Sequence, residues 1–186
     1  MRRPLSGGRR TLLLMDNGEP TYTPKPGEFF VERTGGWGGR LIRLGTDSDV
    51  NHAGTYLGKG LTLEAEPGGA RICQMEGARL DAVLWSGMNP ALVLSEVEAA
   101  AVVEAAMHHV GDRYSWLDVS CIGLAKLTGG HIPAPLRARL SNPHMNMCSQ
   151  LVDVIRADAR IHLFVDQRLP GDVSPGDLRA LISQRW

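Results

Sequence analysis

Polar and hydrophobic positions alternate along the first half of the chain and recur every three to four residues along the second. Residues 23–27, TPKPG, read as a proline-rich turn, and EFFVER after them predicts a strand over Glu28–Glu32. Aromatic and β-branched side chains in a short apolar run suit a pleated, half-buried ladder. A glycine-dense loop, TGGWGG, and one helical turn in RLIRL follow. HAGTYLG then predicts a second strand with His52 at its head, LTLEAE a third, and Gly58, Lys59 and Gly60 the hairpin turn between them. Pro67, Gly68 and Gly69 make the next turn, and ARICQME and LDAVLW read as two further strands. The period then changes. Ser95 caps a helix, with Glu98 three residues on completing a capping box. Val97, Ala100, Ala101, Glu104, Ala105 and His108 trace its repeat, and Gly111 stops it. Further helices are predicted over Tyr114–Leu127, briefly within residues 131–144, in CSQLVDVIRADA and in SPGDLRALIS. In the third of these, Cys148, Leu151, Val152, Ile155 and Ala159 share a face. A block of antiparallel strands followed by a block of helices is an α+β chain.

A length of 186 residues suits one domain with a short tail. The division falls between a basic N-terminal arm, residues 1–20, and a domain over residues 21–186. Lys plus Arg equals Asp plus Glu at 20 each, so charge gives no argument for binding nucleic acid or an anionic membrane. The basic start followed by Leu12, Leu13 and Leu14 is superficially like a signal peptide, but Asp16 ends the apolar run too early. No stretch reaches the roughly 18 apolar residues of a membrane span. The expectation is synthesis in the cytoplasm with no integral membrane segment, a phage particle or release by lysis being the later destinations left open. Three widely spaced cysteines argue against a disulfide framework and against a Cys-x-x-Cys metal site, and for a reducing compartment. His108 and His109 are adjacent and point to different helix faces, so they form no i, i+4 metal pair. TGGWGG lacks the lysine and helix start of a phosphate loop. Neither metal nor cofactor is expected.

The residues that carry chemistry are few. Cys148 stands at the start of its predicted helix, where the partial positive charge and free N–H groups of a helix N-terminus favour a thiolate and can help bind an oxyanion. By position alone, a small buried cysteine on an apolar helix face is the commoner reading. His52 begins a strand directly after the polar TDSDVN, and a thiol nucleophile needs an imidazole to take its proton and later return one to the leaving group. Pairing across Gly58–Gly60 sets Glu64 opposite about residue 54 and His52 opposite about residue 66, so Glu64 and Glu66 both come within diagonal reach of the ring. Either can orient it, and either can be a solvent-facing edge carboxylate. Cys73 and Cys121, among apolar neighbours, read as core. His144, after Pro143, reads as a loop residue at a cleft rim, and Trp37 as a packing aromatic or one that lines the cleft.

PGEFFVERTGG, VNHAGTYLGKG, LTLEAEPGGA and the much later MCSQLVD, in that order, resemble the permuted branch of the NlpC-type papain-like cysteine hydrolases. The resemblance spans about residues 24–155. It implies a circularly permuted papain-like fold in which the histidine strand precedes the cysteine helix. It further implies Cys148 as nucleophile, His52 as base and Glu64 as the residue orienting the histidine, which leaves Glu66 the lesser claimant. Tyr114, in GDRYSW, and Ser149 are candidates for the oxyanion or cleft wall. Glu28 stands where the family has Asp after Pro-Gly, at a position that closes a turn.

The activity so implied is cleavage of an amide or isopeptide bond through a thioester on Cys148, with a peptide or muropeptide as substrate and a peptidoglycan stem peptide as the leading case. Lipid acyl transfer, thioester cleavage or deamidation of proteins is the enzymatic alternative. A binding or structural module, for instance a component assembled into a phage particle, is the non-enzymatic one. A peptide substrate predicts an open polar groove, and an acyl chain an apolar tunnel.

Overall fold

The computed structural model describes residues 22–35, 49–66, 68–75, 77–113, 148–166 and 173–184. Its centre is a five-stranded antiparallel sheet of β1 (Phe29–Glu32), β2 (His52–Gly58), β3 (Leu61–Glu66), β4 (Gly69–Gln74) and β5 (Leu84–Trp85), in the order β4-β3-β2-β1-β5. The helices are α1 (Ala78–Ala82), α2 (Glu96–His108), α3 (Cys148–Asp158) and α4 (Pro175–Ser183). This is an α+β arrangement.

Alternation along the strands divides the core. Phe29, Val31 and Ala53 turn to one face, where they pack with Val152 of α3 and with Leu178 and Leu181 of α4. Leu63 and Ala65 continue that face beneath Val102, Ala105 and Ala106 of α2 and beneath Cys148, Leu151 and Ile155 of α3. Phe30 turns the other way, to Tyr56, Met75, Val83 and Trp85. Helix α3 is therefore held along its length. Burying a Leu, Val or Ile side chain is worth about 1.5–3 kcal/mol, and Leu151, Val152 and Ile155 are all buried. Near its end, the fully buried Arg156 lies over the Phe29 ring and donates from Nη2 to the Gly27 carbonyl at 3.1 Å, tying α3 to the turn before β1. Glu28 closes that turn: it is buried, and the Tyr22 hydroxyl donates to its carboxylate.

The capping box at Ser95 and Glu98 forms as the spacing predicts, and a second one, Ser174 with Asp177, opens α4. Three expectations need correction. LDAVLW is not one strand, because residues 80–82 belong to α1 and only Leu84–Trp85 joins the sheet. The inward face of α2 is Val102, Ala105 and Ala106, whereas Val97 is 80% exposed. Alanines and valines occur all round this helix, so its sequence repeat gave little direction. Cys73 is half-buried on the edge strand β4 and not in the core. Among the described residues, no helix is long and apolar enough to cross a membrane. The helices expected over Tyr114–Leu127 and within 131–144, and the turn in RLIRL, lie outside the described residues.

Candidate active site

The β2–β3 hairpin fixes the first two site residues. Gly58, Lys59 and Gly60 take positive φ values of 99°, 53° and 76°, the left-handed backbone of a tight turn. The register beyond it places Gly54 opposite Glu64, Thr55 opposite Leu63 and Tyr56 opposite Thr62. His52 is two residues from Gly54 on the same strand, so it lies diagonal to Glu64. Its Nε2 meets Glu64 Oε2 at 2.7 Å. Gly54 leaves the room for this meeting: a Cβ there would come within 2.9 Å of Glu64 Cγ and 2.7 Å of the Phe30 ring. Thr62, two residues before Glu64 on the same face, donates from Oγ1 to Glu64 Oε1 at 2.5 Å.

Cys148 is the first residue of α3 and is buried. It belongs to the helix-side core and neighbours His52, at the head of β2, closely enough to raise the ring's pKa. Burial opposes a charge on the imidazole, but Cys148 and the Glu64 carboxylate beside it outweigh that and hold the ring's pKa up at about 10. Glu64 is the mirror case. Burial disfavours its charge, and the bonds from His52, Arg79 and Thr62 overcome that, lowering it to about 2. At neutral pH the proton of this pair sits on the imidazole, beside an ionised carboxylate.

Two further charged groups join the set. Glu32 is directly opposite His52 in the β1–β2 ladder. Arg79, on α1, donates from Nε to both Glu32 oxygens at 3.2 Å and from Nη2 to Glu64 Oε2 at 2.7 Å, with a second Nη2 contact to Glu32 Oε1. Its guanidinium lies 5.6 Å from the Phe30 ring centroid. One ligand-type atom each from Glu32, His52 and Glu64 falls within 4.8 Å of the others, a spacing that suits a cation, and Arg79 bonds to both carboxylates.

The sequence candidates fall as follows. Cys148, His52 and Glu64 come together. Glu66, at the end of β3, pairs with Gly69, and Glu64 is the glutamate that touches the ring. Ser149 does not line a cleft with its hydroxyl: the residue is fully buried and donates from Oγ to the Val173 carbonyl at 2.7 Å. Tyr114, Cys121, His144 and Trp37 lie outside the described residues. His109 is held between Asp112 and Asp158, at 2.7 Å and 2.8 Å, at the opposite end of α2 from its capping box. Glu32, Gly54, Thr62 and Arg79 were not singled out from the sequence. Thr62 has a signal, the i, i+2 spacing from Glu64 on a strand. Glu32 has none, because the long connection from β1 to β2 does not set a register. Arg79 was hidden by the reading of its neighbourhood as a strand. No protein-family model matches the chain, and no curated protein matches it either.

Proposed function

We propose that the chain is a cysteine hydrolase of the permuted NlpC-type papain-like kind, cleaving an amide or isopeptide bond. The observation that carries this reading is the His52 ring, held at 2.7 Å by the buried Glu64 carboxylate and neighboured by Cys148 at the head of a helix. The order along the chain, with the histidine strand before the cysteine helix, supports the permuted arrangement.

The chemistry follows from the geometry. The Cys148 sulfur attacks the carbonyl carbon, and the N–H groups of the first turn of α3 face the developing oxyanion. His52 gives its proton to the leaving nitrogen as the C–N bond breaks, which leaves a thioester on Cys148. Water then attacks the thioester carbon and gives a proton to His52. The C–S bond breaks, and the carboxylic product and the starting pair are released. Glu64 keeps the ring oriented and stabilises the imidazolium in both halves. A peptidoglycan stem peptide is the leading substrate. The acyl-chain alternative finds less support. A cavity of about 680 Å³ with apolar walls from Leu57, Val93, Leu94, Ala99 and Val103 exists, but neither Cys148 nor His52 lines it.

The non-enzymatic reading rests on one observation, the low exposure of Cys148 at 3%. The rate of iodoacetamide alkylation at each cysteine against pH, followed by mass spectrometry, separates the two. Hydrolase chemistry requires Cys148 to react faster than Cys73 below about pH 7 and to lose that advantage in His52→Ala. A Cys148 that is inert, or indifferent to His52, makes the chain a binding or structural module instead.

A further inference from the structure

We propose that Arg79 is a positioning residue for this site, acting as the internal counter-ion that offsets Glu32 so that Glu64 remains free to hold the His52 imidazolium. The inference rests on the Cys148–His52 reading and adds a fourth and fifth member to it.

Glu32 and Glu64 are 8% and 1% exposed, and both lie within a few ångströms of His52. Two carboxylates that close, out of water, do not both stay ionised without a compensating charge, and one of them takes up a proton. A proton on Glu64 removes the anion on which the imidazolium depends. The single imidazolium cannot balance two carboxylates. Arg79 supplies the missing charge in a fitting shape. Its fork engages both oxygens of Glu32 through Nε and Nη2, and Nη2 also reaches the Glu64 oxygen that holds His52. Glu64 Oε2 is thus gripped from two sides, by Arg79 and by His52, while Thr62 fixes Oε1. Its carboxylate has no freedom to rotate away from the ring. A planar guanidinium does this where a lysine ammonium, a point charge on a flexible stem, does it less well.

The arrangement predicts a charge rescue. In Arg79→Gln, polar contacts persist but the compensating charge is gone, and the alkylation advantage of Cys148 below neutral pH should fall about tenfold or more. Adding Glu32→Gln removes the surplus negative charge and should return the rate to within about threefold of wild type. Arg79→Lys, which keeps the charge, should retain most of the advantage. The proposal is overturned if Arg79→Gln and Arg79→Lys behave alike, or if the double variant is as slow as Arg79→Gln while both melt cooperatively. Should Arg79→Gln alone fail to fold, the double variant decides: near-wild-type reactivity supports charge compensation, and loss of it refutes it.

A second readout keeps this separate from the hydrolase reading. Titration of the His52 ring by NMR does not depend on thiol reactivity. Its midpoint should rise in Arg79→Gln, where a cation beside the ring is lost, and return on adding Glu32→Gln, which takes a negative charge away. Recovery in a protein whose Cys148 is inert would sink the hydrolase and leave the counter-ion standing. No movement of the midpoint, in a protein whose Cys148 is reactive and dependent on His52, would do the reverse.

Discussion

Glu64 reaches His52 across the place where Gly54 has no side chain. The carboxylate sits opposite Gly54 in the ladder, and its Oε2 meets the imidazole two residues further along at 2.7 Å. An alanine at 54 would bring a methyl group against Glu64 Cγ and the Phe30 ring. Both are buried and hemmed in, so neither yields cheaply. Gly54→Ala should cost about 1–3 kcal/mol of stability, as overpacking does, and should lower the His52-dependent alkylation of Cys148. Urea unfolding followed by the alkylation assay checks both. A protein that loses neither has more room at this point than the site allows.

Replacing Glu64 by Gln keeps the size and loses the charge. The imidazolium then loses its anion, and turnover should fall on the order of 10²–10⁴-fold. The stability difference carries a definite pH sign. The folded-state value of Glu64 is depressed to about 2, below the ordinary value of about 4.3. Its contribution is therefore fully present above about pH 4.3 and disappears as the pH falls towards 2. Wild type and Glu64→Gln, compared by denaturant unfolding along an acid series, should converge at the acid end. A gap of constant size would mean that the carboxylate acts through shape and not charge.

His109 behaves with the opposite sign. Burial works against its charge, but Asp112 and Asp158 outweigh that and raise its pKa. The stabilisation it brings is fully present below the unfolded value of about 6.5 and is lost as the pH rises through the higher folded value. His109→Gln should cost up to about 1 kcal/mol at low pH, since Asp158 is largely exposed and water screens the pair. The cost should shrink on the alkaline side. Thermal melts at about pH 5.5 and about pH 9 measure it, and a larger loss at the alkaline end would show that the two aspartates are not what His109 serves.

Ile155, fully buried on α3 against the β3 and α2 core, tests how the nucleophile's helix is held. Ile155→Ala should cost about 2–5 kcal/mol through the cavity it leaves. Equilibrium unfolding in urea reads this directly, and a cost under about 1 kcal/mol would mean that α3 is anchored elsewhere.

The hairpin that joins His52 to Glu64 was legible in the sequence because a short glycine turn fixes a register, and a register fixes which side chains face one another. The nucleophile's helix was legible because Leu151, Val152 and Ile155 keep one period through otherwise polar surroundings. The rest needed three dimensions. Arg79 lies on a five-residue helix, too short to show a period, and Leu80 and Ala82 there mimic the alternation of a strand. The β1–β2 pairing that sets Glu32 beside His52 spans a connection whose length says nothing of register. Ser149 reads as a polar residue next to a nucleophile. Its burial comes from Val173, far away in the chain. The strand that carries Cys73 has apolar neighbours but, among the described residues, one partner, and nothing in a sequence marks a strand as the edge.

The thiol and the imidazole stand about a hundred residues apart along the chain, and bringing them together carries the entropy of closing a long loop. Glu64, by contrast, reaches the same ring across a single turn. The hairpin half of the site should therefore persist in partly opened forms of the molecule, with the sulfur joining it only while α3 is docked. Undocking of α3 leaves an oriented imidazolium with no sulfur beside it, so chemistry at Cys148 should vanish at a lower denaturant concentration than the sheet itself. Reactivity of that one thiol is then a gauge of how tightly the two ends of the fold are joined.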